Sequence, residues 1–301
     1  MALGIDPTND FVFRMTFANP DNADLLLHLI NAILAPAAPI VNVEILNPDL
    51  DPEYDGDKFS ILDVKARDSE GRLFNIEMQT SLTAALRERL VYYAACLFTS
   101  ELGEGDPYAL LRPTIGICLL SAVMFPDVAE GHQRFTLCDA RSQIELTQHF
   151  QIHIVELPKY IRDVTAMPAG DQLDRWAWWF QRAADFDANE LRRLLPEAQF
   201  QKATGILEMI SRTPTQRDLY EARQKALRDE VWKLAEARSE GLLEGREEGL
   251  WRGLRIGRIE QLQMLQRMLG ESESPNSELQ SLSLEQLTAR VQQLQDRSTR
   301  R

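Results

Sequence analysis

Histidine and cysteine are scarce in this 301-residue chain, with four of the first and three of the second. Cys96, Cys118 and Cys138 lie far apart in apolar or strand-like surroundings. A zinc site needs close-set ligands, and a disulfide framework needs a set of spaced pairs. Neither pattern is present, so the three read as reduced core residues of a cytoplasmic protein. His149 and His153 are four apart, but HFQIHIVEL alternates as a strand does, which points to packing or surface positions. No run approaches the roughly 18 apolar residues of a membrane helix. The start, MALGIDPTND, lacks a basic stretch followed by an apolar one, so no signal peptide is expected. Basic charge is short as well: 33 Lys and Arg stand against 46 Asp and Glu, a net charge of −13. Indiscriminate nucleic-acid binding relies on neutralising phosphates and is disfavoured by this balance. The deficit is steep in residues 1–80, with 14 acids and 5 bases. Part of it is DLDPEYDGD at 49–57, which from Asp51 opens like a calcium loop but has Leu62 where the bidentate Glu is required. A solvated loop is the expectation there.

What the chain does have is a hydrophobic fraction of 44%, enough for a substantial core, and one informative stretch, SILDVKARDSEGRLFNIEMQT at 60–80. Alternate residues of a strand point to opposite faces. Leu62, Val64 and Ala66 are apolar and alternate with Asp63, Lys65 and Arg67; Phe74, Ile76 and Met78 alternate with Asn75, Glu77 and Gln79. Keeping the apolar sets together requires a three-residue loop, Ser69-Glu70-Gly71, with Asp68 closed against Arg72 and Gly71 in the left-handed position. That register pairs Val64 with Ile76 and Asp63 with Glu77. A two-residue loop would set Asp63 against Ile76 instead.

Two carboxylates facing one another repel, and a divalent cation relieves the repulsion. Mg²⁺ takes oxygen ligands, commonly one or two carboxylates plus substrate phosphate. Gln79 shares the face of Glu77, and Lys65 that of Asp63. Alternation alone is more commonly the mark of a charged face left in water.

Wider segments bear on the choice. Asp63 followed by Glu77-x-Gln79 is similar to the PD-(D/E)xK nuclease core with Gln in place of the usual Lys. DPTNDFVFRMTF at 6–17, LDVKARDSEGRLFNIEMQ at 62–79, RERLVYYAACLF at 87–98, VELPKY at 155–160 and YEARQKALRDE at 220–230 resemble, in order and spacing, the recombination-promoting nuclease and transposase family. The resemblance implies an α/β PD-(D/E)xK restriction-endonuclease-like core with a mixed sheet. It also implies DNA as partner and Mg²⁺-dependent (or Mn²⁺-dependent) cleavage. By position, Asp63 and Glu77 would bind the metal, and Gln79 would replace the catalytic Lys without its positive charge. Candidate accessory residues are Asp10, on an acid-bearing first helix; Lys65; Arg87 and Arg89, just after the hairpin, for phosphate; and Tyr93, beside Tyr92 on the next helix. Asp10 equally suits a helix start, and tyrosines at helical spacing equally suit a core. The alternative function is a weakly active or inactive nuclease fold serving as a DNA-binding or protein-interaction module; strand transfer is not distinguishable from hydrolysis here.

Four parts follow along the chain: a nuclease-like core at 1–165, a helical extension at 166–215, a long helix at 216–269 and a small helical element at 270–301. Helices are expected over 10–34 and around 82–102, and strands at 41–46, 114–125 and in the two runs RFTLCDARSQIEL and FQIHIVELP. RWAWWFQRA at 175–183 concentrates three of the five tryptophans, as expected of a helix packed on the core. In the long helix, Gly241, Gly245, Gly249, Gly253 and Gly257 recur every fourth residue. Each costs about 1 kcal/mol relative to Ala, so the stretch is either a hinged spacer or a close helix contact giving a homo-oligomer. SLSLEQLTARVQQLQD reads as an amphipathic helix capped near Ser283, forming a hairpin with QLQMLQRML at 261–269. This end resembles a C-terminal domain of unknown function found on related proteins.

Overall fold

The computed structural model describes residues 1–46, 64–100, 102–160 and 170–299. Two compact units emerge, Met1–Lys225 and Ala226–Arg301. In the first, α1 (Asp10–Phe17) and α2 (Ala23–Leu34) precede β1 (Val43–Ile45) and the hairpin of β2 (Val64–Asp68) and β3 (Leu73–Gln79). Then come α3 (Leu86–Thr99), β4 (Thr114–Leu120), β5 (His132–Cys138) and β6 (Glu145–Glu156), followed by α4 (Gln172–Arg182), α5 (Ala188–Leu194) and α6 (Ala198–Arg212). The expected first helix is interrupted. Asn19 caps a short 3₁₀ turn beginning at Pro20 by accepting the Asp21 N–H, and proline cannot continue the hydrogen-bond ladder of α1.

The sheet has the order β1-β2-β3-β4-β6-β5. The pairs β1/β2, β2/β3 and β5/β6 are antiparallel, and β3/β4 and β4/β6 are parallel. It is a mixed sheet of six strands among the described residues, flanked by helices. The hairpin has the register that parity demands: Val64 pairs with Ile76, and the Asp68 N–H donates to the Arg72 carbonyl at 3.1 Å. Gly71 has φ +81°, a conformation only glycine adopts without strain. The Asp68 carboxylate holds the turn by accepting the Glu70 and Arg72 N–H groups, each at 2.9 Å.

One face of the sheet carries Val64, Ala66, Phe74, Ile76, Met78, Ile115, Ile117 and Leu119, and packs with α1, α2, α4, α5 and α6 in one core. Trp176, Trp178 and Trp179 are fully buried there. The opposite face carries Cys118, Leu120, Ile152 and Ile154 beneath Leu86, Leu90 and Ala94 of α3. The charged hairpin face therefore does not lie in water. Asn75 and Glu77 are only 3% and 2% exposed, because they share this second face. Of the cysteines, Cys118 is buried and Cys96 half-buried, but Cys138 is exposed, at the open end of β5, where the ladder with β6 is irregular. His149 is exposed and His153 buried. His153 stacks on His132 with Nδ1 and Nε2 2.8 Å apart. Burial, then the neighbouring His132 and Arg134, pushes its pKa down to about 3.

Helix α7 (Pro214–Leu269) starts in the first unit. In the second unit its last turns pack Ile259 and Leu262 against Leu279 of α8 (Asn276–Leu279) and Leu287, Val291 and Leu294 of α9 (Leu284–Thr299). Ser283 and Gln286 cap α9 reciprocally: the Gln286 N–H donates to Ser283 Oγ at 3.2 Å and the Ser283 N–H to Gln286 Oε1 at 2.8 Å. A Cβ placed on any of the five spaced glycines meets nothing within 4 Å. No helix among the described residues is long and apolar enough to cross a membrane.

Candidate active site

Glu77 occupies the carboxyl half of β3, where the strand pairs with β4 in parallel, opposite Cys118. Ligand sites in open α/β sheets gather at the carboxyl ends of such strands. Residues two apart share a face, so Asn75, Glu77 and Gln79 line up along β3. Asn75 Nδ2 donates to Glu77 Oε1 at 2.8 Å, and Gln79 Nε2 reaches Glu77 Oε2 at 3.4 Å. From α3, Arg89 Nη2 donates to Gln79 Oε1 at 2.5 Å. The result is a continuous chain from Asn75 through Glu77 and Gln79 to a guanidinium.

Burial raises the pKa of Glu77, opposed by the Asn75 hydrogen bond, the charge of Arg89 and the Gln79 hydrogen bond. Desolvation penalises the ionised carboxyl more than these three neighbours stabilise it. Polar capacity around it is left over: Asn75 Oδ1, Arg89 Nε and Ser121 Oγ are buried without a hydrogen-bond partner among the described residues. Ser121 belongs to the same corner, since its N–H donates to the Gln79 carbonyl at 2.9 Å.

Asp63 lies outside the described residues, as does the 49–57 loop. Lys65 is half-buried, with Asn75 as its cross-strand neighbour. Arg89 joins the network, whereas Arg87 is exposed and lies over the Phe125 ring at 5.2 Å. Tyr93 is half-buried, its ring 5.9 Å from that of Tyr92. Asp10 stands in the first turn of α1 and accepts from Arg223 Nε at 2.6 Å. Among the described residues no three His, Cys, Asp or Glu side chains converge as a metal set.

Sequence reasoning assigned no role to Asn75, although its parity with Glu77 was visible. It also passed over Glu156. That carboxylate, fully buried at the end of β6, accepts the N–H groups of Met124 and Phe125 (2.9 Å for the latter) and pairs with Lys159. Lys159 Nζ also donates to the Phe125 carbonyl at 2.8 Å. The VELPKY segment thus ties the chain after β4 to the end of β6, beside the site.

A family profile described as PD-(D/E)XK nuclease family transposase matches residues 7–237. Comparison with curated proteins and with solved structures gives no match.

Proposed function

We propose, because the chain belongs to the PD-(D/E)XK nuclease family of transposases, that it is a divalent-metal-dependent DNA endonuclease acting at the carboxyl end of β3. The observation that carries this reading is the Glu77 carboxylate: almost fully buried, disfavoured as an anion, and held by two amides beside an arginine. A buried carboxylate of this kind calls for a cation. The donors on offer are hard oxygens, with Asn75 Oδ1, unpartnered among the described residues, next to Glu77, which suits Mg²⁺ or Mn²⁺. Asp63 and Glu77 would hold the ion. Asp63 directly precedes Val64, whose partner Ile76 directly precedes Glu77, in keeping with a carboxylate pair across the hairpin. When bound, such an ion polarises a phosphate oxygen and acidifies a water.

The chain's own residues have separable tasks. Asn75 and Gln79 fix the two carboxylate oxygens of Glu77. Gln79 stands where the family usually has Lys and carries no charge. Arg89 supplies a cation to the same spot from α3 through its bond to Gln79. Arg89→Gln should lower cleavage by about 100-fold, the scale of losing one donor to a developing charge. Gln79→Lys in the Arg89→Gln background should recover most of that loss. Plasmid-nicking rates of the two variants decide it, and a double variant no better than Arg89→Gln would show that the charge itself is not what Arg89 provides.

The reading as a whole is tested with supercoiled plasmid DNA, purified protein and Mg²⁺ or Mn²⁺, with EDTA and the Asp63→Ala variant as controls. Nicking or linearisation that disappears in both controls is expected. Cleavage that persists at the wild-type rate in Asp63→Ala, or none by the wild type with either metal, would overturn it.

A further inference from the structure

Arg87 and Arg89 stand two positions apart in the first turn of α3, which sets them about 200° apart around the helix. Their contacts show the split. Arg89 reaches Gln79 of the candidate site, whereas Arg87 lies over the Phe125 ring, its Cζ 5.2 Å from the centroid. Arg87 is exposed and forms no ion pair among the described residues. Phe125 leads on to a second ring: its centroid is 5.8 Å from that of Phe135 on β5, the planes tilted by 39°. Phe135 belongs to an edge strand and is 43% exposed. A guanidinium and two phenyl rings thus follow one another, with the outer ring open to solvent.

These groups are held in place, and they face the same way as the site. Glu156 accepts the N–H groups of Met124 and Phe125, and Lys159 donates to the Phe125 carbonyl, so the backbone of Phe125 is fixed on both sides. Across the sheet, Asn75 pairs with Gly116, Gly116 with Ile152 and Ile152 with Phe135. Directly paired residues share a face, so Phe135 stands on the face of Asn75 and Glu77. Three strand spacings of about 4.8 Å separate it from Asn75, about 14 Å in all. That is about four nucleotides of a stacked strand at 3.4 Å each. Helix α3 packs on β3, β4 and β6 in between, and its first turn adds the positive end of a helix dipole.

We propose that Arg87, Phe125 and Phe135 form a platform for an unpaired nucleotide of the DNA substrate: the guanidinium takes a phosphate, and the open ring of Phe135 takes the base. This platform presupposes the nuclease reading and adds the state of the strand that it takes. A base inside a duplex shows only its edges to the grooves. Its ring face becomes available once it is unpaired, and any base can then stack on an aromatic side chain. An arginine lying on a ring keeps its N–H edge for phosphate. Residues 1–225 hold 33 acids against 21 bases, so attraction that does not depend on charge, such as stacking, counts for more here than in a basic protein. The clamp of Glu156 and Lys159 acts only through Phe125: it positions the platform and touches no nucleotide.

The test is fluorescence anisotropy with the full-length chain, in EDTA at low ionic strength, on a short duplex that is either blunt or tailed with unpaired thymidines. The wild type should bind the tailed duplex at least about tenfold more tightly, the scale of one base–aromatic stack. Phe135→Leu stays apolar but has no ring face and should lose the preference; Phe135→Trp should keep it. Arg87→Gln should weaken binding and lower the salt slope by about 0.7, the share of one phosphate contact to a single strand. Equal binding of the two duplexes by the wild type, or a preference that survives in Phe135→Leu, would overturn the proposal. Plasmid nicking with Mg²⁺ separates the two readings. Nicking without the preference removes the platform and leaves the nuclease reading standing; the preference without nicking supports the platform and removes the nuclease reading.

Discussion

Glu77→Gln should abolish metal-dependent DNA cleavage, by about 10³-fold or more, while leaving the fold at least as stable as the wild type at neutral pH. The two halves of this expectation have different origins. Cleavage goes because the carboxylate that would hold the cation is gone, and charge stabilisation at the reacting phosphate is commonly the largest single contribution to such catalysis. Stability is kept because burial raises the pKa of Glu77. A carboxyl whose pKa is higher folded than unfolded binds its proton more tightly when folded. Its contribution is therefore fully present below the unfolded value, near 4.5, and is lost as pH rises through the raised folded value. Above the unfolded value the buried carboxyl opposes folding, and the neutral isostere removes that opposition while still accepting from Asn75. The melting temperature of the variant should accordingly match or exceed that of the wild type at pH 7 and fall less steeply as pH rises above 4.5. Mg²⁺ should raise the melting temperature of the wild type but not of Glu77→Gln. A variant that melts well below the wild type, or one that still cleaves, would remove Glu77 from the role assigned to it.

The second large effect is on folding. Trp176→Ala should destabilise the first unit by about 3–5 kcal/mol, the range for emptying a large aromatic site in a core, or roughly 6–20 °C in its melting temperature. Trp176 has no exposed surface. Its ring lies 4.4 Å from that of Phe200 and 5.5 Å from those of Phe17 and Trp179. Its Nε1 donates to His28 Nδ1 at 2.9 Å, and burial keeps the pKa of His28 low, so that the ring stays an acceptor. Truncation thus opens a cavity and strands the Nδ1 of a half-buried imidazole. Trp176→Phe retains most of the volume and loses only the hydrogen bond, so its loss should be the smaller one. Calorimetry on the pair separates the two terms; equal losses would mean that the hydrogen bond, not the packing, dominates.

Period and turn chemistry made the hairpin legible. Val64 opposite Ile76 and Asp68 opposite Arg72 follow from residues a few positions apart, and Gly71 sits where the loop needs a positive φ. The cover over that hairpin was not legible. Alternation tells which side chains share a face, but α3 lands on Asn75 and Glu77 through packing that only the folded sheet defines. The same gap separates Arg89 as a nearby cation from Arg89 as the donor to Gln79. Cys138 was misread for a related reason: a strand-like context does not say whether the strand is at an edge, and β5 is an edge strand. The break at Pro20 was legible and passed over. In the candidate site, Glu77 and Gln79 share a face as parity requires, and the amide of Asn75 was within reach of the same rule. The pairing of Asp63 with Glu77 rests on the register of its neighbours.

The core closes upon itself from opposite ends of the first unit. The Leu3 N–H donates to the Phe186 carbonyl at 2.9 Å, and the apolar faces of α1 and α2 are covered by α4 and α6. On a ribosome this imposes an order of events. Residues up to Leu34 emerge first, and their partners at 176–210 follow roughly 10–35 s later at about 5–20 residues per second. During that interval the N-terminal helices have no native surface to cover them, and the strand bearing Glu77 has no finished core beneath it. A chain released before α6 is complete therefore leaves these apolar faces open to chaperones and proteases.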